Sequence, residues 1–396
     1  MVKQKAVSVF IDILRCYING ESLKKEHLDL LKSNDADFLL KNIYNLSIKH
    51  DLAHVVADYL TTNKLINTNS EVFHKFDKKL LSVYARFTTQ EYETERIFSA
   101  LEIAKIEFIP LKGAVLRKYY AKPWMRTSCD LDILIKKSDL SRAKDCLQSK
   151  LNYSLEKVGE CDVSFYNQNK SMHLELHFDL VAETEIGKAH GILSRIWDYA
   201  SGEYKKTLSF DMFYFYHIAH IAKHTIEGGA GIKPYLDLAV LYKNGINEEK
   251  ASSLLVEGGL DVFEKQVRTL AKYWFLGGEK GEITDTFALY TLQGGAYGSI
   301  ANRVKLQTGK KGSRFIYIMN RIFMPYSLLV KLYPSLQGKK FLIPFYWIKR
   351  WIDIIFSKRG KSAFKELSSS KNLDKKEIAS MEEFTKKLGI KDLGVK

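Results

Sequence analysis

Proline and glycine are almost missing from the first quarter of this chain. None of its six prolines precedes Pro110, and Gly20 is the only glycine before Gly113. Both residue types interrupt helices, so their absence leaves long helical segments as the expected structure there. Apolar residues recur at three and four in Val7, Phe10, Ile11 and Leu14, and again in Leu80, Tyr84 and Phe87. That period predicts helices from about Val7 to Glu107. Cysteine is scarce too: Cys16, Cys129, Cys146 and Cys161 show no C-x-x-C spacing. A disulfide framework and a cysteine zinc site are therefore excluded, and buried thiols in a reducing compartment are expected. No uninterrupted run of 18 apolar residues exists, so a membrane-spanning helix is not expected. Met1–Ala6 does not open an apolar leader, and the expected location is cytoplasmic. Acidic residues are nearly absent from one region. Between Ala301 and Gly360 there are 13 Lys and Arg against the single Asp353, within a chain of net charge +15. Such a region attracts nucleic acid, a phosphorylated ligand or an anionic membrane surface, and charge alone does not choose among them.

What is present fits a packed protein of two or three domains: 396 residues, 46% hydrophobic and 12% aromatic. The pattern changes at Phe108. A short apolar piece, Phe108-Ile109-Pro110-Leu111, leads into Lys112-Gly113. Lys122-Pro123-Trp124 then breaks the chain before an apolar run, Asp130-Leu131-Asp132-Ile133-Leu134-Ile135, which reads as a strand. Alternation puts Asp130 and Asp132 on one face. Two carboxylates so close repel unless a cation lies between them, and oxygen donors of this kind suit Mg²⁺ or Mn²⁺. Ser138 is the expected N-cap of a helix running to about Leu151. Period-two segments follow at Ser154 to Lys157, Asp162 to Tyr166 and Met172 to Asp179. The last puts His173, Glu175 and His177 on one face and Met172, Leu174, Leu176 and Phe178 on the other. A strand carrying Glu175 beside the Asp130/Asp132 strand completes a three-carboxylate site. The fold class expected from these patterns is α+β, a small mixed sheet flanked by N-terminal and C-terminal helical regions.

Leu111-Lys112-Gly113, Tyr120 with Pro123, Arg126 and Asp130-Leu131-Asp132-Ile133-Leu134 together resemble the bacterial uncharacterised nucleotidyltransferase family of the polymerase-β-like superfamily. Leu174-Glu175-Leu176-His177 and His217-Ile218-Ala219-His220 through His224, with Asp237 beyond, are similar to it as well. The resemblance covers roughly residues 80 to 290. It implies two Mg²⁺ ions and transfer of a nucleoside monophosphate from NTP to a hydroxyl. By position it implies Gly113 as the turn glycine, Asp130 and Asp132 as metal carboxylates, and Glu175 as the third acidic residue. The turn departs from the superfamily pattern: Lys112-Gly113-Ala114 lacks the serine beside the glycine. Backbone N–H groups there still form an anion nest, and Lys112 adds charge toward phosphates. Arg126 is expected to clamp phosphate or to pair with a structural carboxylate. His177 is expected to orient a carboxylate or relay a proton, or simply to pack. Genes of the resembling family often accompany surface-polysaccharide genes, which suggests a sugar or lipid-linked acceptor. The rival reading is a nucleotide-binding or regulatory protein of the same fold that lacks turnover.

The expected organisation is a helical region over 1–106, the catalytic domain over 107–186, a helical domain over 187–300, a basic aromatic region over 301–366 and a solvated tail over 367–396. His217, His220 and His224 share a helix face without a fourth ligand, so packing or a cleft lining outweighs zinc. Gly228-Gly229-Ala230-Gly231 lies between helices and reads as a flexible connection. The strip 315–356 is aromatic, basic and broken by prolines, which suits peripheral contact at the inner membrane face or packing on the protein's own core. No recognised module supports nucleic-acid binding.

Overall fold

The computed structural model describes residues 2–180, 186–356, 366, 368–369 and 373–393. Residues 181–185 at the end of the expected catalytic domain lie outside this set, as do 357–365 and most of 367–372. Five helices open the chain: α1 (Val2–Asn19), α2 (Lys25–Leu31), α3 (Ala36–Lys49), α4 (Ala53–Thr62) and the 33-residue α5 (Glu71–Ile103). This is the outcome expected of a stretch without internal breakers. Ser70 caps α5 by accepting the Phe73 N–H.

Five strands follow: β1 (Phe108–Pro110), β2 (Leu131–Ile135), β3 (Ser154–Val158), β4 (Asp162–Tyr166) and β5 (His173–His177). Their order in the sheet is β1-β2-β5-β4-β3. β2 runs parallel to β5, while the other neighbours are antiparallel, so the sheet is mixed. The parallel register pairs Asp132 with Glu175. One face carries Leu131, Ile133, Ile135, Leu174, Leu176, Val163 and Phe165 into a core with Ile97, Phe98 and Leu101 of α5. Burying that face fixes the register, because a slip of one residue would turn the carboxylates into the core.

Between β1 and β2 lies α6 (Lys112–Leu116), and between β2 and β3 lies α7 (Leu140–Asp145). Ser138 does not cap α7. It lies within a 3₁₀ turn over Lys137–Asp139, and the helix ends in a π turn over Cys146–Lys150 that carries Leu147 into the core. After α8 (Lys188–Leu193) come α9 (Phe210–Ile226), α10 (Lys233–Lys243), α11 (Ser252–Glu257) and α12 (Asp261–Phe275). Contacts divide the molecule into two compact units. The first comprises 1–223, 232–284 and 393–396; the second comprises 224–231 and 285–392.

The second unit holds α13 (Thr284–Gly294, apart from its first residue), α14 (Ile300–Lys311), α15 (Arg314–Ile322), α16 (Tyr326–Leu332), α17 (Ile343–Phe356) and α18 (Lys375–Lys387). Two expectations change here. The last stretch, expected as a solvated helix or a loose tail, holds a helix with a capping box, Asp374 with Glu377, and what differs is burial: Phe384, Leu388 and Ile390 are buried. Gly309 of α14 lets it approach, since a Cβ there would lie 2.8 Å from the Met381 backbone. Gly228-Gly229-Ala230-Gly231 is not a flexible connection. The Ser299 N–H donates to the Gly228 carbonyl at 3.1 Å, and Gly228 has φ +122 with the Ser299 carbonyl 2.5 Å from where a Cβ would stand. Glycine is there for close backbone approach.

Candidate active site

The site is assembled at the start of β2 and along the polar face of β5. Asp130 immediately precedes β2, Asp132 lies within it, and Glu175 is the registered partner on β5. Ligand atoms of Asp132, Glu175 and His177 all lie within 4.8 Å of one another, and so do those of Asp130, His173 and Glu175. Glu175 is common to both groups. Its side chain is thus neither in the interior nor remote from the aspartates.

The turn after β1 supplies the counter-charge. The Leu111 N–H donates to the Asp132 carbonyl at 3.0 Å, and Lys112 then takes φ +44 on entering α6. This left-handed conformation is costly for a residue with a side chain, by about 1–2 kcal/mol. The Lys112 Nζ donates to Asp132 Oδ1 at 2.6 Å, and the His177 Nε2 lies 3.0 Å from the same oxygen. Gly113 is buried, and a Cβ there would meet Ser128 Cβ at 3.1 Å. Its absent side chain therefore makes room for the segment that leads into β2.

The electrostatics are uneven across the three carboxylates. Burial pushes the Asp132 carboxyl up, but Lys112 and His177 outweigh it and hold it well below the usual range. Asp130 is pushed up, by burial first and by the neighbouring Asp132 charge second. The His177 contact lowers Glu175 against its burial. His177 is pushed down by burial yet ends raised, because Asp132 and Glu175 both favour its imidazolium. Lys112 is raised in the same way by Asp132. Three carboxylates thus face one ammonium and two imidazoles, those of His173 and His177, so carboxylates outnumber the permanent cations. The carboxylate oxygens fit Mg²⁺ or Mn²⁺. His173 and His177 lie beside them and hydrogen-bond carboxylates, His173 to Glu156 at 3.0 Å.

Arg126 lies beside Gly113, its Nη1 3.8 Å from where a Cβ would stand, but its partner is outside the carboxylate cluster. Its Nε donates to Asp237 Oδ1 at 2.6 Å, and the Tyr120 hydroxyl donates to the same oxygen at 2.7 Å. Of the two expectations for Arg126, the structure displays the pairing with a carboxylate. Next to it, Thr127 Oγ1 donates to Asp51 at 2.8 Å and accepts from Lys233 Nζ at 2.9 Å, while Lys233 also pairs with Asp51. Arg117 donates to Gln90, to the Ser128 hydroxyl and to the Arg126 carbonyl. The three residues before Cys129 are therefore pinned by side chains from α3's C-terminal turn, α5, α10 and the 3₁₀ turn at Arg117, and this fixes where Asp130 stands. His217 is buried and its Nε2 lies 3.3 Å from the Pro234 carbonyl, while His224 pairs with Glu227. The metal-capable groups of three among the described residues do not include His217, His220 or His224.

One residue beside the cluster escaped the sequence. Tyr216 of α9 is buried where it feels Lys112, Asp132, Glu175 and Asp130, and burial raises its hydroxyl. It sits in the run Phe213-Tyr214-Phe215-Tyr216, which reads only as a buried helix. Asp237 was visible, but its pairing with Arg126 across 111 residues has no local pattern.

Carboxylates gathered beside a lysine-bearing turn are the equipment that metal-dependent nucleotidyl transfer requires. The family model of uncharacterised nucleotidyltransferases matches residues 37–276, and the chain belongs to that family. No curated protein and no solved structure matches the chain.

Proposed function

We propose that this enzyme moves a nucleoside monophosphate from an NTP to a hydroxyl acceptor, with Asp130, Asp132 and Glu175 as the ligands of Mg²⁺ or Mn²⁺. The observation that carries the reading is that Glu175 of β5 lies within ligand distance of each aspartate at the parallel β2 in turn, with Asp132 and His177 in one group and with Asp130 and His173 in the other. Divalent ions bound there would stabilise the charge of the triphosphate and lower the pKa of the attacking hydroxyl. Lys112, already at the cluster through Asp132, supplies a further positive charge toward the phosphates. Gly113 keeps the turn close to the β2 start. His177, held between Asp132 and Glu175, orients both carboxylates and is placed to take up the hydroxyl proton. Arg126 serves by holding the approach to Asp130 rather than by touching phosphate. An acceptor in surface-polysaccharide synthesis remains the expectation from the family resemblance, and ATP is the first nucleotide to test.

The test incubates the full-length protein with each labelled NTP, Mg²⁺ and cell extract as the source of acceptor. Label transfer and pyrophosphate release are expected, both abolished by Asp132→Ala. Nucleotide binding without pyrophosphate release, unchanged by that substitution, would establish the non-catalytic rival instead.

A further inference from the structure

Helices α15 and α17 turn large apolar side chains outward. In α17 the Arg350 side chain points inward: it is 6% exposed, and its Nη1 donates to the Arg321 carbonyl at 3.1 Å, while Lys349 and Asp353 stay at the surface beside the apolar stripe. Trp347 Nε1 donates to the Met324 carbonyl at 2.8 Å and Trp351 Nε1 to the Ile322 carbonyl at 3.3 Å. These acceptors lie at the end of α15 and just beyond, where helix carbonyls have no partner of their own. In α15, Tyr317 and Arg321 likewise turn inward to Glu366. The outward face is apolar. Phe345, Ile348, Ile352 and Ile355 follow one another at three and four, with Phe356 beside them 86% exposed. Phe315 and Ile316 of α15 are exposed as well. A helix that ends in water does the reverse, because exposed large apolar side chains forgo the favourable transfer from water while a buried arginine needs dedicated partners.

We infer that this face docks on an anionic lipid surface and lies in its headgroup boundary. The inference is independent of the nucleotidyl-transfer reading. Charge and the apolar face together select the partner. The apolar stripe is bordered by exposed Lys339, Lys340 and Lys349, in a region with 13 basic residues and one acidic one. Basic residues around an apolar and aromatic face are attracted to anionic headgroups while the face enters the acyl boundary. Crossing is excluded for these helices. None of the described helices is long and apolar enough to span a membrane. The 14 residues of α17 reach about 21 Å against a hydrocarbon core of about 30 Å.

The test sediments the full-length protein with phosphatidylcholine vesicles, with and without phosphatidylglycerol. Binding is expected to the phosphatidylglycerol vesicles, to weaken as salt is raised, and to fall on the order of tenfold in Ile348→Glu/Ile352→Glu. Phe341→Ser/Phe356→Ser repeats the test at the ends of the same face, and circular dichroism checks that both variants stay folded. No binding of the wild type at low salt overturns the inference, as does equal binding by both variants. Light scattering that shows self-association lost in the same variants would also overturn it, by giving the face to a second copy.

Discussion

Two clusters of charge lie on either side of the segment 126–130, and they are balanced differently. Around Arg126, two carboxylates (Asp237 and Asp51) meet Arg126 and Lys233, with Lys79 at 3.9 Å from Asp51, and the hydroxyls of Tyr120 and Thr127 bond those carboxylates. Around Asp132, three carboxylates share one ammonium and the imidazoles of His173 and His177. The first cluster has its charges matched, and Asp237 is fully buried within it, its Oδ1 taken by Arg126 and Tyr120 and its Oδ2 left without a hydrogen-bond partner. The second has charge left over, and Asp130 and Glu175 remain partly open to solvent. Matched buried charge defines where a chain must go; unmatched charge at an opening recruits a cation from outside. The difference supports the proposed division, with scaffold work for the one and chemistry for the other.

The largest effect expected from that division is kinetic. Asp130→Ala should lower nucleotidyl transfer by about a thousandfold or more, measured as pyrophosphate release, while the melting temperature changes little, because burial and Asp132 already disfavour the Asp130 charge. If activity and stability fell together, the surplus charge would be structural and the contrast would fail. The converse substitution is Arg126→Ala. It leaves the Asp237 carboxylate buried without its cation, at a cost of about 3–5 kcal/mol in urea unfolding. Arg126→Met combined with Asp237→Leu should recover most of that loss, since an apolar pair removes the uncompensated charge. A stable Arg126→Ala variant with a raised KM for NTP would return Arg126 to the phosphate-clamp role.

The sequence revealed the sheet and the carboxylates because both depend on local alternation. His173-Leu174-Glu175-Leu176-His177 has the period of a half-buried strand, and burial of Leu174 and Leu176 leaves Glu175 one possible face. The proline-free N-terminal region likewise had helix as its default. What stayed hidden was set by contacts between distant segments. Arg126 finds Asp237, and Lys233 finds Asp51 across 182 residues, with no periodicity linking them. The glycines at 228–231 carry a composition that suits flexibility and close approach alike, and only the backbone at Ser299 decides. The helix Lys375–Lys387 has few large apolar residues, but its Phe384 and the Leu388 just after it suffice once α14 presents Gly309.

A pH experiment sharpens the scaffold side of the comparison. His54 donates from Nε2 to the Met125 carbonyl at 2.8 Å, and its buried Nδ1 has no partner. Burial lowers its pKa from 6.5 to about 4. As the pH falls, the unfolded chain takes up this proton first. The stabilisation is complete above pH 6.5, declines between 6.5 and 4, and is gone below that. Its full size is of order 3 kcal/mol. Burial shifts His217 the same way. Urea midpoints across pH 7 to 4.5 should therefore fall for the wild type and flatten in His54→Asn. An unchanged slope would place the acid sensitivity in other groups.

The smallest effect tests the open cluster without touching a carboxylate. His177 lies 3.0 Å from Asp132 and 3.5 Å from Glu175, so it holds two of the three oxygen donors in their present orientation. Groups that orient ligands in this way are worth about 10–100-fold in metal affinity or activity. His177→Gln should therefore weaken Mn²⁺ binding by a factor in that range, read from a thermal-shift titration, with the metal-free melting temperature nearly unchanged. Asp237→Asn, which alters the closed cluster, should do the opposite: lower the metal-free melting temperature while leaving the midpoint of the Mn²⁺ titration in place. Were both substitutions to move both quantities, the two clusters would be one cooperative network, and the separation of scaffold from chemistry would lie instead between Lys112 and the rest.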